Sequence, residues 1–561
     1  MSATAPTDTG LIGAAARPAS PAKTQAGLRA LVAGWPASAL LICGCAGLLS
    51  IVLGADNYWD LRFYHLYAPW AYLHGRYLYD LDPAQYQGYF NPTADFLFYA
   101  LTASRLNDFP RVIAFIMGAV HGLNAVMIFA IARHVLRPVG RLERATLIAV
   151  AWLIGVSGSG FVSLVGTTSG DLVNSIFVLA SLLCVLQAAE PDNPHRANAR
   201  IAWAAFAWAG LSAGIAVGLK YTAATFLPGL GLIAVTAALQ RKSITGLIAF
   251  GAASAVGFLA VAGHHLLTLW VDFGNPVFPL LNQFFQSPYF DPVSLRDKSF
   301  LPRDVWQAIA YPFYWARLNS YLVSEPPFRD WRGAITYVAI AAGLIGFVRH
   351  RLRERNLPTG SAAPTRGLGL LCAFALVSYV VWEFSFGIYR YAVALEMLSG
   401  VIAMGAAVWL FRTGGQRIVL AVALLVVVAT TTVYLDWGRR PFGDRYIDVQ
   451  VPPLPKNSVV LLTGLHPAAY FIPFAEPTAQ YIGIENNYLY LSQDNKLVAE
   501  IKRLMETPGR PKFIVSIGKF DGAKLNALLA KFKLKLGASP CQPIHSNLEV
   551  EALSLCPAVP R

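Results

Sequence analysis

The chain is poor in charge. Asp, Glu, Lys and Arg make up 14% of its 561 residues, against 55% hydrophobic residues, whereas a soluble domain carries nearer a quarter charged residues. That argues against three or four soluble domains, which length alone would allow. Acidic residues are the scarcer sign, 31 against 45 basic, for a net charge of +14. The excess does not point to nucleic acid. Basic residues sit at the ends of apolar runs rather than on one domain, as the positive-inside rule expects. Cysteine is scarce too, and six cysteines are too few for a disulfide scaffold. Cys43, Cys45, Cys184 and Cys372 lie in apolar runs and read as small buried hydrophobes. Cys43 and Cys45 point to different helix faces, which argues against a metal pair. Cys541 and Cys556 lie in polar sequence instead and could close a loop of about 15 residues, worth about 3 kcal/mol, in an oxidising compartment. The C-terminal part contains neither G-x-G-x-x-G nor a Walker A sequence, so nothing marks a nucleotide site.

What is present is a series of apolar runs. At about 20 residues per crossing, they predict an α-helical polytopic membrane protein of about eleven spans. These lie near 36–54, 111–132, 145–166, 172–189, 201–219, 221–239, 244–265, 333–348, 367–387, 391–411 and 417–435. Basic residues fill alternate connections, among them Arg133 to Arg144, Arg241 and Lys242, and Arg412 and Arg417. With eleven spans these loops share the cytoplasmic side, and the chain runs N-in, C-out. The first span is long and no clear A-x-A site follows it, so it reads as retained rather than cleaved. Residues 1–35 read as a disordered cytoplasmic tail. Residues 36–435 form the membrane module. Its outer loops 55–110 and 266–332 are dense in Trp, Tyr, Phe and Pro, as expected of helices lying in the interface. Residues 436–561 read as a small extracytoplasmic α/β domain. Strands are expected at Ser458–Gly464 and Lys512–Gly518, and helices at 492–506 and 521–532.

Several side chains could carry chemistry. In the stretch GADNYWDLRFYHLYAPW, Asp56 and Asp60 share a helical face, with Arg62 and His65 close behind. Asp56 either caps an interfacial helix or, under aromatic cover, serves as a general base with a raised pKa. Asp171 in TTSGDLVN is either a helix cap or a second carboxylate facing Asp56, with room for a divalent cation (Mg, Mn or Zn) as the one cofactor left open. Lys220 in GLKYTA either snorkels or offers a point charge to a lipid phosphate. Arg390 and Tyr391 lie between Glu383 and Glu396. Arg390 either joins a buried ion pair or holds a phosphate by its fork. His264 and His265 diverge on a helix, so at most one, taken as His265, is a metal-ligand candidate.

The segments YWDLRFYHLYAPWAYLHGRYLYD, GLKYTA, GNPVFPLLN and YRYAVALEM resemble those of the GT-C superfamily of membrane glycosyltransferases, over about residues 36–435. The resemblance implies a bacterial inner-membrane enzyme with its site facing the periplasm. It implies inverting transfer of a sugar from a polyprenyl-phosphate donor to an envelope lipid, glycan or protein. Asp56 matches the family's general base. Asp60 and Asp171 match a second acid or metal position, although Asp56 and Asp60 do not make the tight acidic pair seen in some members. Lys220 and Arg390 match phosphate-binding positions, with Tyr391, Arg62 and His65 as further donor-binding candidates. A lipid transporter or flippase would want charges at mid-membrane and repeated halves, and no convincing repeat is found. A non-catalytic envelope-assembly protein would place its function in the C-terminal domain.

Overall fold

The computed structural model describes residues 21–136, 140–190, 199–318, 320–354, 366–463, 468–486 and 488–561. The membrane module begins with α1 (Pro21–Leu53), followed in the first loop by α2 (Tyr67–Leu73) and α3 (Phe96–Thr102). Then come α4 (Pro110–Val135), α5 (Arg141–Val156), α6 (Ser159–Leu164), α7 (Asp171–Ala188), α8 (Ala199–Leu219), α9 (Leu227–Arg241) and α10 (Ile244–Phe273). The second loop holds α11 (Asn282–Phe285) and α12 (Val305–Tyr314), and the module closes with α13 (Arg332–Glu354), α14 (Arg366–Ser385), α15 (Val393–Leu410) and α16 (Gly414–Thr431). Of the expected N-terminal tail, residues 1–20 lie outside the described residues. Residues 21–35 are helical rather than disordered, since few helix breakers fall among them.

Among the described residues, nine helices are long and apolar enough to cross a membrane. Two expected spans fall short. In the expected span 145–166, α5 stops at Val156, and the Gly- and Ser-rich run after it makes a break before α6. The apolar part of α13 covers only Arg332–Gly346. Helix ends sort into two groups. In one group, Ala55 and Asp56 after α1 pair with Arg440 and Arg439 after α16, and Lys220 after α8 reaches Asp171 at the start of α7. In the other, Arg144 of α5 donates to the Arg133 carbonyl at the end of α4 (2.7 Å), and Arg417 of α16 meets Glu143 of α5 (2.8 Å). Arg241 at the end of α9 donates to the Ala188 carbonyl at the end of α7.

The C-terminal region is a mixed sheet. A two-residue ladder joins β1 (Ala55–Asp56) to β2 (Arg439–Arg440), after which β3 (Val449–Gln450), β4 (Val459–Thr463), β5 (Gln480–Ile484), β6 (Lys512–Ile517), β7 (Leu534–Leu536), β8 (Gln542–Ser546) and β9 (Leu553–Pro560) form one sheet. Its order is β3-β8-β9-β6-β4-β5, with β7 also on β9. Only β5, β4 and β6 are mutually parallel, and β4 and β5 are buried along nearly their whole length, which explains their near-continuous apolar sequence. Gly464, the expected end of the first strand, lies outside the described residues. The expected helices appear as α17 (Lys496–Glu506) and α18 (Gly522–Ala530). Asn495 caps α17 by accepting from the Val498 N–H (3.0 Å). A disulfide joins Cys541 to Cys556 across 15 residues.

The first loop does not lie flat in the interface. Tyr58, Phe63, Tyr64, Tyr67 and Trp70 are buried, and the last four share one hydrophobic cluster with Tyr470, Phe471 and the sheet strands. Trp59, Leu73, Leu78, Tyr79, Leu97 and Phe109 keep large exposed surfaces there. The aromatic run has a sheet domain to pack against, and burial beneath it removes more apolar area from water than a headgroup would. The weld is also polar. The Leu81 N–H donates to the Tyr481 carbonyl (3.0 Å) and the Gly483 N–H to the Leu81 carbonyl (2.8 Å), so the loop adds a short strand to the β5 edge. Arg76 donates to both oxygens of Asp80 (2.9 and 2.7 Å) and to the Pro477 and Ala479 carbonyls (2.7 and 2.6 Å).

Asp80 and Asp82 make this weld pH-sensitive. Burial pushes the Asp80 carboxyl up to about 6, with Arg76 opposing, and that of Asp82 up to about 8, with Tyr488 and Asn486 opposing. A folded-state pKa above the unfolded value means that the folded form binds more protons. The stabilisation is therefore complete below about 4 and is lost as pH rises through about 6 for Asp80 and about 8 for Asp82. Thermal denaturation is expected to occur at lower temperature as pH rises across that window. Asp82→Asn should flatten the upper part of the curve, and an unchanged curve would rule out the assignment.

Candidate functional site

The site lies where the exit of α1, the start of α7, the end of α8 and the turn before α15 converge. Lys220 has extended backbone between α8 and the 3-10 turn Tyr221–Phe226. Gly170, at a φ of +76° before α7, makes a left-handed turn open to glycine. That turn brings two acceptors onto Lys220 Nζ, the Ser169 carbonyl and Asp171 Oδ1, each at 2.8 Å. A second 3-10 turn, Tyr389–Ala392, carries Arg390 and Tyr391. Arg390 Nη1 donates to Asp60 Oδ2 (2.7 Å) and to the Tyr58 hydroxyl. Its guanidinium stands over the rings of Tyr58, Tyr391 and Trp437. The Tyr391 ring lies 5.1 Å from Arg390 and 5.1 Å from Lys220 Nζ, which bounds the separation of the two cations at about 10 Å. The structure thus brings together Asp60, Asp171, Lys220, Arg390 and Tyr391.

Arg390 and Asp171 are buried, and Asp60 and Lys220 are partly so. Side-chain exposure is 10% for Arg390, 14% for Asp60, 19% for Lys220 and 3% for Asp171. Burial raises the Asp60 carboxyl, but Arg390 and then His65 pull it below the usual range. Burial depresses the Lys220 ammonium, and Asp171 only partly offsets this. Polar atoms remain without a hydrogen-bond partner, namely Arg390 Nε, Asp171 Oδ2, Asn174 Oδ1 and the Tyr221 hydroxyl, although buried polar atoms are normally satisfied. Beneath Tyr391 a hollow with about 230 Å³ of empty space, including its mouth, is lined by Asp171, Asn174, Ser175, Thr222 and Tyr391 among others. On the far side of the same turn a larger hollow of about 580 Å³ is walled by Trp315, Tyr337, Tyr379 and Tyr389.

No family model and no curated protein matches the chain. Solved structures similar to it include ArnT from Cupriavidus metallidurans bound to undecaprenyl phosphate, at 13% identity over 94% of this chain and 98% of that one, with a TM-score of 0.39. The same enzyme in the apo state gives 12% identity over the same shares and a TM-score of 0.37. An Archaeoglobus fulgidus oligosaccharyltransferase tethered to an acceptor peptide gives 12% identity over 88% of this chain and 70% of that one, with a TM-score of 0.40. Likenesses this distant carry no argument about chemistry, so the site rests on its own geometry.

Of the other expected site residues, His65 stays close enough to Asp60 to lower its pKa, and the rest fall elsewhere. Asp56 is 1% exposed, and its carboxylate accepts from the Thr168 N–H and hydroxyl (2.8 Å each) and from the Tyr58 N–H (2.9 Å). The ladder with Arg439 aims it at the 165–170 turn, so it fastens that turn to the exit of α1 and does not face Asp171 across an open site. Arg62 lies on the domain side of its turn, 5.7 Å from the Trp59 ring and close enough to Tyr470 and Glu551 to feel their charge. His65 pairs with Asp95. His265 is fully buried against the rings of Tyr72 and Tyr77. His264 is tethered to the Tyr72 hydroxyl (2.8 Å) and the Thr93 hydroxyl (2.9 Å). Glu396 does not pair with Arg390. It accepts from the Gly160 and Phe161 N–H groups at the start of α6 (2.8 and 3.1 Å). Glu383 accepts from the Tyr379 hydroxyl instead.

Among the described residues, no group of three or more His, Cys, Asp and Glu could hold a metal ion. Asp60 and Asp171 each already face a protein cation, so this donor set does not fit a divalent cation and no step is routed through one. Sequence reasoning missed Asp95, Thr168 and Tyr58. Of these only Asp95 left a signal, as an acid inside the aromatic run NPTADFLFY.

Proposed function

We propose that the chain is an inverting glycosyltransferase of the bacterial inner membrane that moves one sugar from a polyprenyl-phosphate donor to an envelope acceptor on the periplasmic face. The observation that carries this reading is the pair of cations sharing Tyr391, with Arg390 Nε left without a partner. One phosphate, taking hydrogen bonds of about 2.8 Å on either side, comes close to bridging them. Lys220 and Arg390 bind the donor phosphate and stabilise the charge it gains on leaving. Asp60 and Asp171 hold the cations in place and keep the site near neutral before the donor arrives. The aromatic hollow behind Tyr389 suits the first isoprene units.

The acceptor oxygen attacks the anomeric carbon, the bond from that carbon to the phosphate oxygen breaks, and a single displacement inverts the centre. In this reading all eleven expected spans cross, with α5–α6 and α13 as the short ones, and the N-terminus is cytoplasmic. The basic residues Arg133, Arg144, Arg241 and Arg417 then face the cytoplasm, and the site and the disulfide-bearing domain face the oxidising side. The test is sugar transfer by the purified full-length protein in a lipid extract from a strain lacking the gene, which supplies donor and acceptor together. The expected result is a new acceptor mass larger by one sugar. Uptake or flipping of the lipid without that mass would refute the reading.

A further inference from the structure

The proposed reaction needs a group that takes the acceptor proton, and the expected carboxylates are engaged. Asp56 accepts three hydrogen bonds from the protein, Asp60 faces Arg390, and Asp171 faces Lys220. A carboxylate stabilised by a cation is a weaker base. One nearby basic group is held differently. His65 closes the π-helical turn Leu61–His65 that follows Asp60. Its Nδ1 lies 2.7 Å from Asp95 Oδ1, with both side chains 6% exposed. Asp95 is itself well anchored. It ends the short turn Pro92–Asp95, and Asn91 at the head of that turn donates to the Gly218 carbonyl at the end of α8 and the Val261 carbonyl within α10 (2.7 and 2.9 Å). Nδ1 meets Asp95 as a close charge contact rather than an aligned hydrogen bond. A proton on that nitrogen leaves the lone pair on Nε2, which is also buried with no hydrogen-bond partner.

We infer that His65, oriented by Asp95, is the group that accepts the acceptor's hydroxyl proton, an inference that rests on the transferase reading above. The proton moves from the acceptor oxygen to His65 Nε2 as that oxygen bonds to the anomeric carbon. The polyprenyl phosphate departs with the electron pair of the broken bond and one more negative charge, opposite Lys220 and Arg390. Asp95 stays ionised and stabilises the imidazolium, and the proton then passes to the departing phosphate or to water. The charged and titratable groups that act on the pair are Asp60, Lys220, Tyr64 and Tyr77, with the Tyr64 ring 4.1 Å from that of His65.

The test uses full-length protein in the same lipid extract, with His65→Gln, His65→Ala and Asp95→Asn compared with Arg390→Ala. The expected loss in His65→Gln is about 10²–10⁴-fold. The wild-type rate should climb with pH, as general-base catalysis requires, and the small residual rate of His65→Gln should not. Added imidazole should restore part of the His65→Ala rate, more so at higher pH, which a purely structural histidine would not show. If transfer is abolished in Arg390→Ala but His65→Gln keeps the wild-type rate and pH profile, the dyad is overturned and the transferase reading stands. If wild type transfers nothing, both fall. Should the His65 variants not fold, Asp95→Asn decides. A reduced rate with a displaced pH profile supports the dyad, and a wild-type profile overturns it.

Discussion

Arg390→Ala is expected to lower sugar transfer by about 10²–10³-fold, the usual loss for one group aimed at developing charge. Lys220→Ala should cost a similar factor, and the double variant should fall to background. Arg390→Lys should not restore activity, because an ammonium cannot reproduce a planar fork stacked against Tyr58, Tyr391 and Trp437. The loss must be separated from damage to the fold. Removing Arg390 leaves Asp60 buried beside no cation, and such broken pairs cost about 3–5 kcal/mol. The informative control is therefore Asp60→Asn with Arg390→Gln, which removes both charges. It should fold nearly as well as wild type and still show the loss seen in Arg390→Ala. Transfer at more than half the wild-type rate in that double variant would show that the cation is structural.

Arg76→Ala is expected to unseat the C-terminal domain. Arg76 is 7% exposed and satisfies Asp80 and two carbonyls of the 477–479 turn, with its guanidinium 4.3 Å from the Tyr79 ring. Its loss leaves an uncompensated carboxylate in the weld, at about 3–5 kcal/mol. Limited proteolysis should then cut the connection near residues 436–458, which wild type protects, while the membrane module stays intact. Transfer should fall as well, because Asp60 and His65 are on the same loop that the domain covers. A protease pattern identical to wild type would place the stability of that loop in the membrane module alone. The domain is thus expected to brace the site from outside, consistent with Phe63 and Tyr67 sharing a core with Tyr470 and Tyr481.

The membrane fold was largely legible because apolar length is a strong, local signal. The strands β4 and β6 and the helices α17 and α18 were legible for the same reason, each being a short periodic segment. Where the reading failed, the cause was tertiary. Nothing local says that the run after Trp59 will find a sheet to pack on, so interfacial helices were the default. Glycines at 155, 158 and 160 weaken a helix only moderately by propensity. What fixes the break after α5 is Glu396 from a distant span, whose carboxylate takes the Gly160 and Phe161 N–H groups and leaves no room for a side chain at Gly158. Among site residues, the charges Lys220, Arg390, Asp60 and Asp171 could be picked out because charge is rare in apolar sequence. Their pairing was not visible, since it depends on two 3-10 turns more than 160 positions apart in sequence. Spacing puts Asp56 and Asp60 on one helical face, and the ladder with Arg439 separates the fastening acid from the acid that meets Arg390.

The most direct test of the central claim is native mass spectrometry of the full-length protein in detergent with undecaprenyl phosphate. Wild type is predicted to retain one lipid phosphate, and the variant carrying Lys220→Ala and Arg390→Ala to retain none under the same conditions. Equal retention by the two proteins would contradict the account, because the lipid would then be held by its tail alone and the paired cations would have no phosphate to bind.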